Sequence, residues 1–390
     1  MSDDPARDEI RPYLSALVDG LRAAGALRTP QWADAFGKVP RHLFVPQWYR
    51  QGTDEKGIAV WERADTSDRA AWLSAVYSDQ TLVTALDPVT AAQVDDRAWT
   101  GVPTSSSTMP GLMAGMLEDL GVEDGHRVLE IGTGTGYNAA LLSARLGAGL
   151  VHSVDVAPDL VEAARGRLAQ IGYTPHLAAA DGRDGYPDQT SFDRTIATCS
   201  VPGIPSAWVE QSRTGGVILA DIALGIEGGL VRVTVDEERR AVGCYTATGG
   251  RFMAARGDAL AYPHQAHAPQ VAETGTRPTT VTAADIRSHY PFRLLLAFHL
   301  PSAELVYHAD DDGTVALQIQ QPDGSWARTP LAGPATVTYG GPPELWQQVE
   351  DAWTWWNAHD RPAQDQFGYR RDPDGSHHAW HTTTGRRWLL

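Results

Sequence analysis

Residues 127–136 read RVLEIGTGTG, and the helix-like segment YNAALLSARLG follows them directly. RVLEI is a short apolar run that is typical of a buried strand, and the glycines of the pattern E-x-G-x-G-x-G allow a tight turn before the helix. A strand, a glycine turn and a helix in this order are typical of the opening of a ligand-binding α/β unit. At this point a turn that binds nothing stays open as an alternative.

Strand and helix patterns keep alternating after this unit. Strands are predicted for VHSVDV (151–156), HLAAADG (176–182), FDRTIATCS (192–200) and GGVILADI (215–222), and helices for APDLVEAARGRLAQIG and IPSAWVEQSR. Such alternation predicts a doubly wound, mostly parallel sheet with helices on both faces. The stretch GLVRVTVDEERRAVGCYTATGGRFMAA then predicts a terminal β-hairpin.

Acidic residues stand at the ends of the next two predicted strands. Asp155 follows Gly132 by 23 residues, where a carboxylate can accept hydrogen bonds from both ribose hydroxyls. Asp181 closes the third strand, where methyltransferases commonly hold the adenine amino group. S-Adenosylmethionine has no phosphate, and methyltransferases prefer the form E-x-G-x-G-x-G, so we predict this cofactor, with S-adenosylhomocysteine as its product. The predicted cofactor-binding residues are Glu130, Gly132, Thr133, Gly134, Gly136, Asp155, Val156, Asp181 and Gly182. A dinucleotide site, and a helix N-cap role for Asp155, are the alternatives.

Composition argues against several other classes. The chain has 32 Lys and Arg against 48 Asp and Glu, and a net charge of -16 repels phosphate backbones and anionic bilayers. Its two cysteines, Cys199 and Cys244, provide neither a disulfide framework nor a set of zinc ligands. The start MSDDPARDEI carries acidic residues where a signal peptide needs basic ones, and no apolar run approaches the ~20 residues of a membrane span. We therefore expect a soluble cytoplasmic protein without nucleic-acid or membrane partners.

The remaining regions predict further elements and a second domain. Residues 8–27 have the spacing of an amphipathic helix, whereas 52–100 indicate helix and loop. FRLLLAFHL, TVALQIQ and TVTYGG predict strands, and ELWQQVEDAWTWWNAHDRP predicts a helix, which together make a small C-terminal α+β module. We expect a catalytic domain at 1–258, a proline-containing linker at 259–280, and an accessory or peptide-recognition domain at 281–390.

Several segments resemble the protein-L-isoaspartate (D-aspartate) O-methyltransferases. They are VPRHLFVP (39–46), YSDQ (77–80), TSSSTMP (104–110) with the helix GLMAGMLEDL, and FDRTIATCSVPGIPSAWVEQSRTGG (192–216). The resemblance covers roughly residues 8–255, and PRHLFVP with the hydroxyl-rich turn is its most specific part. It implies a class I methyltransferase fold, S-adenosylmethionine, and an acceptor carboxylate on an Asp or isoAsp residue of a peptide or protein.

The hydroxyl-rich turn carries the predicted acceptor site. In the family this turn ends in Ser-x-Pro, and the serine lies where cofactor and acceptor carboxylate meet; this chain has Thr108-Met109-Pro110. We therefore predict that Thr108 is the catalytic residue and orients the carboxylate. An aspartyl carboxylate, with a pKa of ~3.9, is already ionised at neutral pH and requires no general base. The predicted substrate-binding residues are Ser106, Ser107, Cys199 and Ser200. A loop at 105–108 that caps the following helix is the alternative.

The closing segment, 345–385, resembles the ends of long family members associated with ribosomally made peptides, among them lanthipeptides and graspetides. This resemblance implies esterification of an Asp in a cyclised precursor peptide, followed by formation of a succinimide (aspartimide) or isoaspartate. The alternatives are repair of isoaspartyl residues in damaged proteins, a binding module without turnover, and a tail that only stabilises or dimerises the core. His377, His378 and His381 have a spacing that favours a strand end over a metal site, so no metal is predicted.

Overall fold

The computed structural model describes residues 5–53, 59–64, 66–87, 90–94, 98–187, 191–257, 271–310 and 313–390. The chain divides into two compact units. The first unit comprises Met1–Cys199, Pro205–Leu219 and Ala255–Tyr262, and the second comprises Ser200–Ile204, Ala220–Ala254 and Pro263–Leu390.

The first unit contains most of the helices and the predicted glycine turn. Its helices are α1 (Pro5–Ala23), α2 (Pro30–Lys38), α3 (Arg41–Phe44), α4 (Arg69–Val76), α5 (Pro110–Leu120), α6 (Tyr137–Leu146), α7 (Pro158–Gln170) and α8 (Ser206–Glu210), with 3-10 helices at Ala148–Leu150 and Gly182–Asp184. Its strands are β1 (Tyr49–Thr53), β2 (Ala59–Arg63), β3 (Leu82–Leu86), β4 (Ala92–Gln93), β5 (Ala98–Thr100), β6 (Pro103–Ser107), β7 (Val128–Ile131), β8 (Val151–Asp155) and β9 (His176–Ala179). Strands β10 (Phe192–Val201) and β11 (Ser212–Ala223) begin in the first unit and end in the second.

Strand β7 is the centre of the parallel sheet. It pairs in parallel with β10 on one side and with β8 on the other, and β9 pairs with β8. All residues of β7 are buried, as expected for a strand with neighbours on both edges and helices on its faces. The carboxyl ends of β7, β8 and β9 therefore lie at one edge, which confirms the predicted doubly wound methyltransferase fold.

The interpretation of 52–100 as helix and loop missed the strands that lie in that stretch. The first unit has a six-stranded sheet in the order β4-β5-β2-β1-β3-β6, and among the described residues of 52–100 only α4 is a helix. These strands have two to five residues and mixed exposure, so they show almost no alternation in the sequence. The expected hydroxyl-rich turn is likewise mostly strand, because 104–107 lie in β6 and pair with β3.

Among the residues that the structure describes, the second unit contains antiparallel strands and three α-helices. The predicted hairpin is confirmed as β12 (Gly228–Val235) and β13 (Ala241–Tyr245), and β19 (Phe367–Arg371), β20 (His377–His381) and β21 (Arg387–Leu389) continue from it. A five-stranded sheet has the order β14-β18-β17-β16-β15, formed by β14 (Gly275–Pro278), β15 (Glu304–Ala309), β16 (Val315–Gln320), β17 (Trp326–Pro330) and β18 (Thr336–Gly340). The helices are α9 (Ala283–Ser288), α10 (Tyr290–His299) and α11 (Glu344–Ala358), with a 3-10 helix at Gln364–Gln366.

Two predictions concern the stretch 259–300, namely a linker and a strand. FRLLLAFHL was predicted as a strand, but 292–299 lie in α10, where Pro291 occupies the first turn and the apolar side chains are buried. A continuous apolar run has no period, so it cannot distinguish a buried helix from a strand. Of the predicted linker, 259–270 lie outside the described residues, whereas 275–278 form β14. The predicted domain limits stay a prediction.

None of the helices among the described residues is both long enough and apolar enough to cross a bilayer.

Candidate functional site

The turn after β7 needs glycine for two reasons. Gly132, Gly134 and Gly136 have φ angles of 94°, 51° and 89°, in the left-handed region that residues with a Cβ rarely adopt. A Cβ on Gly132 would lie 2.6 Å from the Thr198 hydroxyl oxygen, and one on Gly136 would lie 3.0 Å from the Ala164 Cβ. The turn therefore packs tightly against its neighbours at Gly132 and Gly136, and less tightly at Gly134.

Glu130 supports this turn from inside the protein. It is fully buried, and its two carboxylate oxygens accept hydrogen bonds from the Asn138 amide at 2.8 Å and the Ser153 hydroxyl at 2.5 Å. The Ser153 oxygen also lies 2.6 Å from the Thr133 hydroxyl oxygen. Burial raises the pKa of Glu130 from 4.5 to about 7, although both hydrogen bonds favour the ionised form. Glu130 thus joins the turn to β8 and α6, which is a supporting role for a residue that was predicted to bind the cofactor.

Asp155 lies directly at the glycine turn. One of its carboxylate oxygens accepts a hydrogen bond from the Gly134 N–H at 2.8 Å, and the other accepts one from the Ala157 N–H at 3.1 Å. The N-cap of α7 is Ala157, which makes no side-chain cap. The helix-cap alternative therefore does not describe this residue, whose half-buried carboxylate can also reach a ligand beside the turn. Val156 follows it and is half-buried as well.

Asp181 and Gly182 follow β9 at the same edge. Asp181 accepts hydrogen bonds from the Arg183 backbone N–H at 2.9 Å and from its guanidinium at 2.6 and 3.0 Å. Burial raises the pKa of Asp181, but the bonds from Arg183 outweigh it and the pKa falls below its ordinary value. A Cβ on Gly182 would lie 2.6 Å from the Ile131 Cγ2, so this glycine lets the chain pack on the end of β7. An adenine amino group at Asp181 would share the carboxylate with Arg183.

Strand β6 lies against the glycine turn at Gly134. A Cβ on Gly134 would be 3.8 Å from both the Ser105 hydroxyl oxygen and the Ser106 carbonyl oxygen. Thr108 follows β6 directly, and its hydroxyl forms no hydrogen bond with any residue that the structure describes. That hydroxyl is therefore available to bond a ligand.

The helix-cap alternative for the same segment is not observed. Met109 is the N-cap of α5 and makes no side-chain cap. The Gly111 N–H instead donates to the Asp79 carboxylate at 2.6 Å, and the Met109 N–H donates to the Thr81 hydroxyl at 3.1 Å. Because residues from 79–81 satisfy the start of α5, Thr108 has no capping role.

Arg41 is the residue that the sequence analysis missed. It is fully buried, and its guanidinium donates to the Ser107 hydroxyl and to the carbonyl oxygens of Val76, Ser78, Gln80, Ser107 and Thr108 at 2.7–3.3 Å. Burial lowers the pKa of Arg41 to about 10, so the guanidinium remains charged at neutral pH. Arg41 thereby ties the segment 76–80 to the end of β6. Its position inside PRHLFVP was a signal, but the motif does not reveal its partners.

The two remaining predicted substrate residues differ in their surroundings. Cys199 is half-buried, with its Sγ 4.0 Å from the Ile131 carbonyl oxygen, and the preceding Thr198 hydroxyl donates to the Gly132 carbonyl at 2.7 Å. Ser200 is buried in the second unit, and its N–H donates to the Met253 carbonyl at 2.9 Å. The strand β10 therefore contacts the glycine turn through Thr198, and Ser200 follows two residues later on the same strand.

The three C-terminal histidines have separate hydrogen-bond partners. His377 pairs with the Tyr369 hydroxyl at 2.6 Å and His381 with the Thr384 hydroxyl at 3.0 Å, while His378 lies 3.5 Å from Asp372. Among the described residues, no group of three or more His, Cys, Asp or Glu side chains could hold a metal ion.

Fold and site together define a class I, S-adenosylmethionine-dependent methyltransferase. Its central parallel strand leads into a glycine turn, and a carboxylate stands at the end of the next strand.

Comparison with known proteins identifies the family. Residues 59–253 match the family described as "Protein-L-isoaspartate(D-aspartate) O-methyltransferase (PCMT)". The protein-L-isoaspartate O-methyltransferase of Methanopyrus kandleri is 31% identical over 209 residues, 53% of this chain and 75% of the relative. That of Methanoculleus marisnigri is 33% identical over 223 residues, 57% of this chain and 80% of the relative. The chain belongs to the protein-L-isoaspartate O-methyltransferase family, and the predicted enzyme class and cofactor are confirmed.

A solved structure extends the likeness in fold. A protein named protein-L-isoaspartate O-methyltransferase superposes with a TM-score of 0.53 at 22% identity, covering 94% of this chain and 98% of that one. Because this coverage reaches well beyond 59–253, residues outside the family match also have structural counterparts in that protein.

Proposed function

We propose that this enzyme esterifies the side-chain carboxylate of an aspartyl residue in a cyclised, ribosomally made precursor peptide. The observation that carries the proposal is the Thr108 hydroxyl, which no described residue engages, beside a strand that contacts the glycine turn at Gly134. The preference for a precursor peptide is supported by the resemblance of the closing segment, 345–385, to long family members that act on such peptides.

The chain's own residues supply orientation rather than acid–base chemistry. S-Adenosylmethionine supplies a methyl group on a sulfonium, which an oxygen nucleophile can accept by in-line displacement. The Thr108 hydroxyl donates to one carboxylate oxygen and leaves the other directed at the methyl carbon. Arg41 fixes the backbone of Thr108 through its carbonyl, and burial keeps the guanidinium itself away from the acceptor. Since an aspartyl carboxylate has a pKa of ~3.9, no proton has to be removed at neutral pH.

The methyl ester determines the next step. The backbone nitrogen of the following residue attacks the ester carbonyl, loses its proton and expels methanol, which closes a five-membered succinimide. Hydrolysis of the succinimide gives mainly isoaspartate. In a precursor peptide, either the succinimide or the isoaspartate is the finished product.

A second candidate is methylation of L-isoaspartyl residues in damaged proteins. The names of the relatives favour it, since each is a protein-L-isoaspartate O-methyltransferase. The solved structure with that name also matches most of this chain, so a long chain alone does not decide between the two acceptors.

One assay separates these acceptors. The purified enzyme is given methyl-labelled S-adenosylmethionine with a cyclised precursor peptide encoded near its gene, with the linear form of that peptide, or with an isoaspartyl peptide. We expect label in the cyclised peptide, release of labelled methanol, and no label when the target Asp is replaced by Asn. Label in the isoaspartyl peptide alone would establish the repair activity and overturn the precursor proposal.

A further inference from the structure

The segment Ser200–Ile204 continues the strand that borders the glycine turn. Thr198, two residues earlier, donates its hydroxyl to the Gly132 carbonyl at 2.7 Å. The carboxyl ends of parallel strands are where ligands bind in sheets of this type. This segment directly follows Cys199, which is predicted to bind the substrate, and it begins with Ser200, which is predicted to do the same.

Two side chains from the C-terminal strands hold the end of this segment. The Ile204 N–H donates to the Tyr369 hydroxyl at 3.2 Å, and that hydroxyl lies 2.6 Å from the His377 Nδ1. Tyr369 is fully buried, which raises the pKa of its hydroxyl and keeps it protonated. Burial lowers the pKa of His377, as do Arg371 and His378, so its neutral ring can accept the Tyr369 proton. The donors then run in one direction, from Ile204 to Tyr369 to His377.

Gly203 packs against the same histidine. A Cβ on Gly203 would lie 2.6 Å from both Cε1 and Nε2 of His377, closer than side-chain carbons approach other atoms. The His377 ring is held by its bond to Tyr369 and cannot swing away freely. Glycine is therefore required at this position for space.

We propose that Tyr369 and His377 are positioning residues for the acceptor peptide, which they influence by holding Ser200–Ile204 in place. The C-terminal strands thereby take part in substrate selection. This inference rests on the proposed function and on the prediction that Ser200, which lies in this segment, binds the substrate.

The first test removes one hydroxyl. Tyr369→Phe should raise the KM for the acceptor peptide about tenfold while the Kd for S-adenosylhomocysteine stays within about twofold. Hydrogen exchange of the Ile204 amide should accelerate. Tyr245→Phe is the matched control, because Tyr245 is also buried in the second unit and its hydroxyl has no partner among the described residues. It should leave the KM and the Ile204 exchange unchanged.

The second test uses the contact at Gly203. Gly203→Ala should raise the peptide KM in the wild-type background, because its methyl group would meet the His377 ring. In a His377→Ala background the same change should have little further effect. Equal effects in both backgrounds would show that ring and segment are independent.

The outcomes separate this inference from the proposed function. Wild-type enzyme that methylates only isoaspartyl peptides defeats the precursor proposal, and the variants are then compared on those peptides. A Tyr369→Phe enzyme with wild-type KM on whichever peptide is accepted, and with unchanged Ile204 exchange, overturns the inference. If neither peptide is methylated, the exchange of the Ile204 amide decides it alone.

Discussion

The cofactor side and the acceptor side of the site are held together over very different distances in sequence. At the glycine turn, Glu130 bonds to Asn138 eight residues away, and Gly134 bonds to Asp155 21 residues away. On the acceptor side, Arg41 bonds to Ser107 and Thr108 across 66 and 67 residues. The first arrangement belongs to one strand–turn–helix unit and its neighbour, whereas the second depends on how distant segments pack. Variants on the two sides should therefore fail in different ways.

The largest effect is expected from Arg41→Met. It removes the donor that several buried carbonyl groups and the Ser107 hydroxyl share, so the free energy of unfolding should fall by about 3–5 kcal/mol. Urea unfolding followed by tryptophan fluorescence measures this change. Arg41→Lys is the control that keeps the charge but not the planar fork, and it should lose less. Wild-type stability of Arg41→Met would mean that the acceptor side does not depend on Arg41.

The next effect is a pH dependence at Glu130. Burial raises its pKa from 4.5 to about 7, so the folded chain keeps a proton that the unfolded chain releases above 4.5. The associated stability is fully present below pH 4.5 and is lost as the pH rises to about 7, in total on the order of 3 kcal/mol. Glu130→Gln cannot titrate. Unfolding free energies at pH 5 and pH 8 should therefore show the wild type losing stability relative to Glu130→Gln, and a constant difference would contradict the assigned pKa.

A smaller effect is expected from Asp155→Ala. It removes a carboxylate that accepts the Gly134 N–H and can bind a ribose, so the KM for S-adenosylmethionine should rise about 30-fold, roughly 2 kcal/mol. Asp155→Asn keeps an acceptor oxygen but not the charge, so its KM for S-adenosylmethionine should lie between those of the wild type and Asp155→Ala. Initial rates at saturating peptide give the cofactor KM of each variant. An unchanged cofactor KM for Asp155→Ala would remove this residue from the cofactor site.

The smallest effect is expected from Thr108→Val, which deletes a hydroxyl and keeps the shape. In the proposed function the hydroxyl orients the carboxylate only during methyl transfer, so kcat should fall about tenfold, roughly 1.4 kcal/mol, with cofactor affinity nearly intact. Single-turnover rates with labelled cofactor report the change. Thr100→Val, at the end of β5 in the six-stranded sheet, is the control and should retain the wild-type rate. Equal rates for both variants would leave Thr108 without a catalytic role.

The same contrast explains what the sequence could predict. The buried run 127–131 and the glycines after it predict a central strand and a ligand-binding turn, because the required φ angles and packing are local. The predictions that failed depend on distant partners. The short strands of the stretch 52–100 exist by pairing with one another, and FRLLLAFHL has no period that separates helix from strand.

Individual site residues follow this rule as well. Thr108 could be proposed only by resemblance, since the sequence does not show that β6 lies against Gly134. Arg41 stands in a recognisable motif, yet the motif does not reveal that its guanidinium donates hydrogen bonds to the segments 76–80 and 107–108. Glu130 is predicted to bind the cofactor from its place in the glycine pattern, and the structure adds that it is buried and supports the turn.

The most direct test of the account is a calorimetric titration of S-adenosylhomocysteine into the wild type, Asp155→Ala and Thr108→Val. We expect tight one-to-one binding to the wild type, nearly equal affinity for Thr108→Val, and clearly weaker binding to Asp155→Ala. Two results would contradict the division of the site into a cofactor side and an acceptor side. One is no binding heat with folded wild-type protein, and the other is weakened S-adenosylhomocysteine binding by Thr108→Val but not by Asp155→Ala.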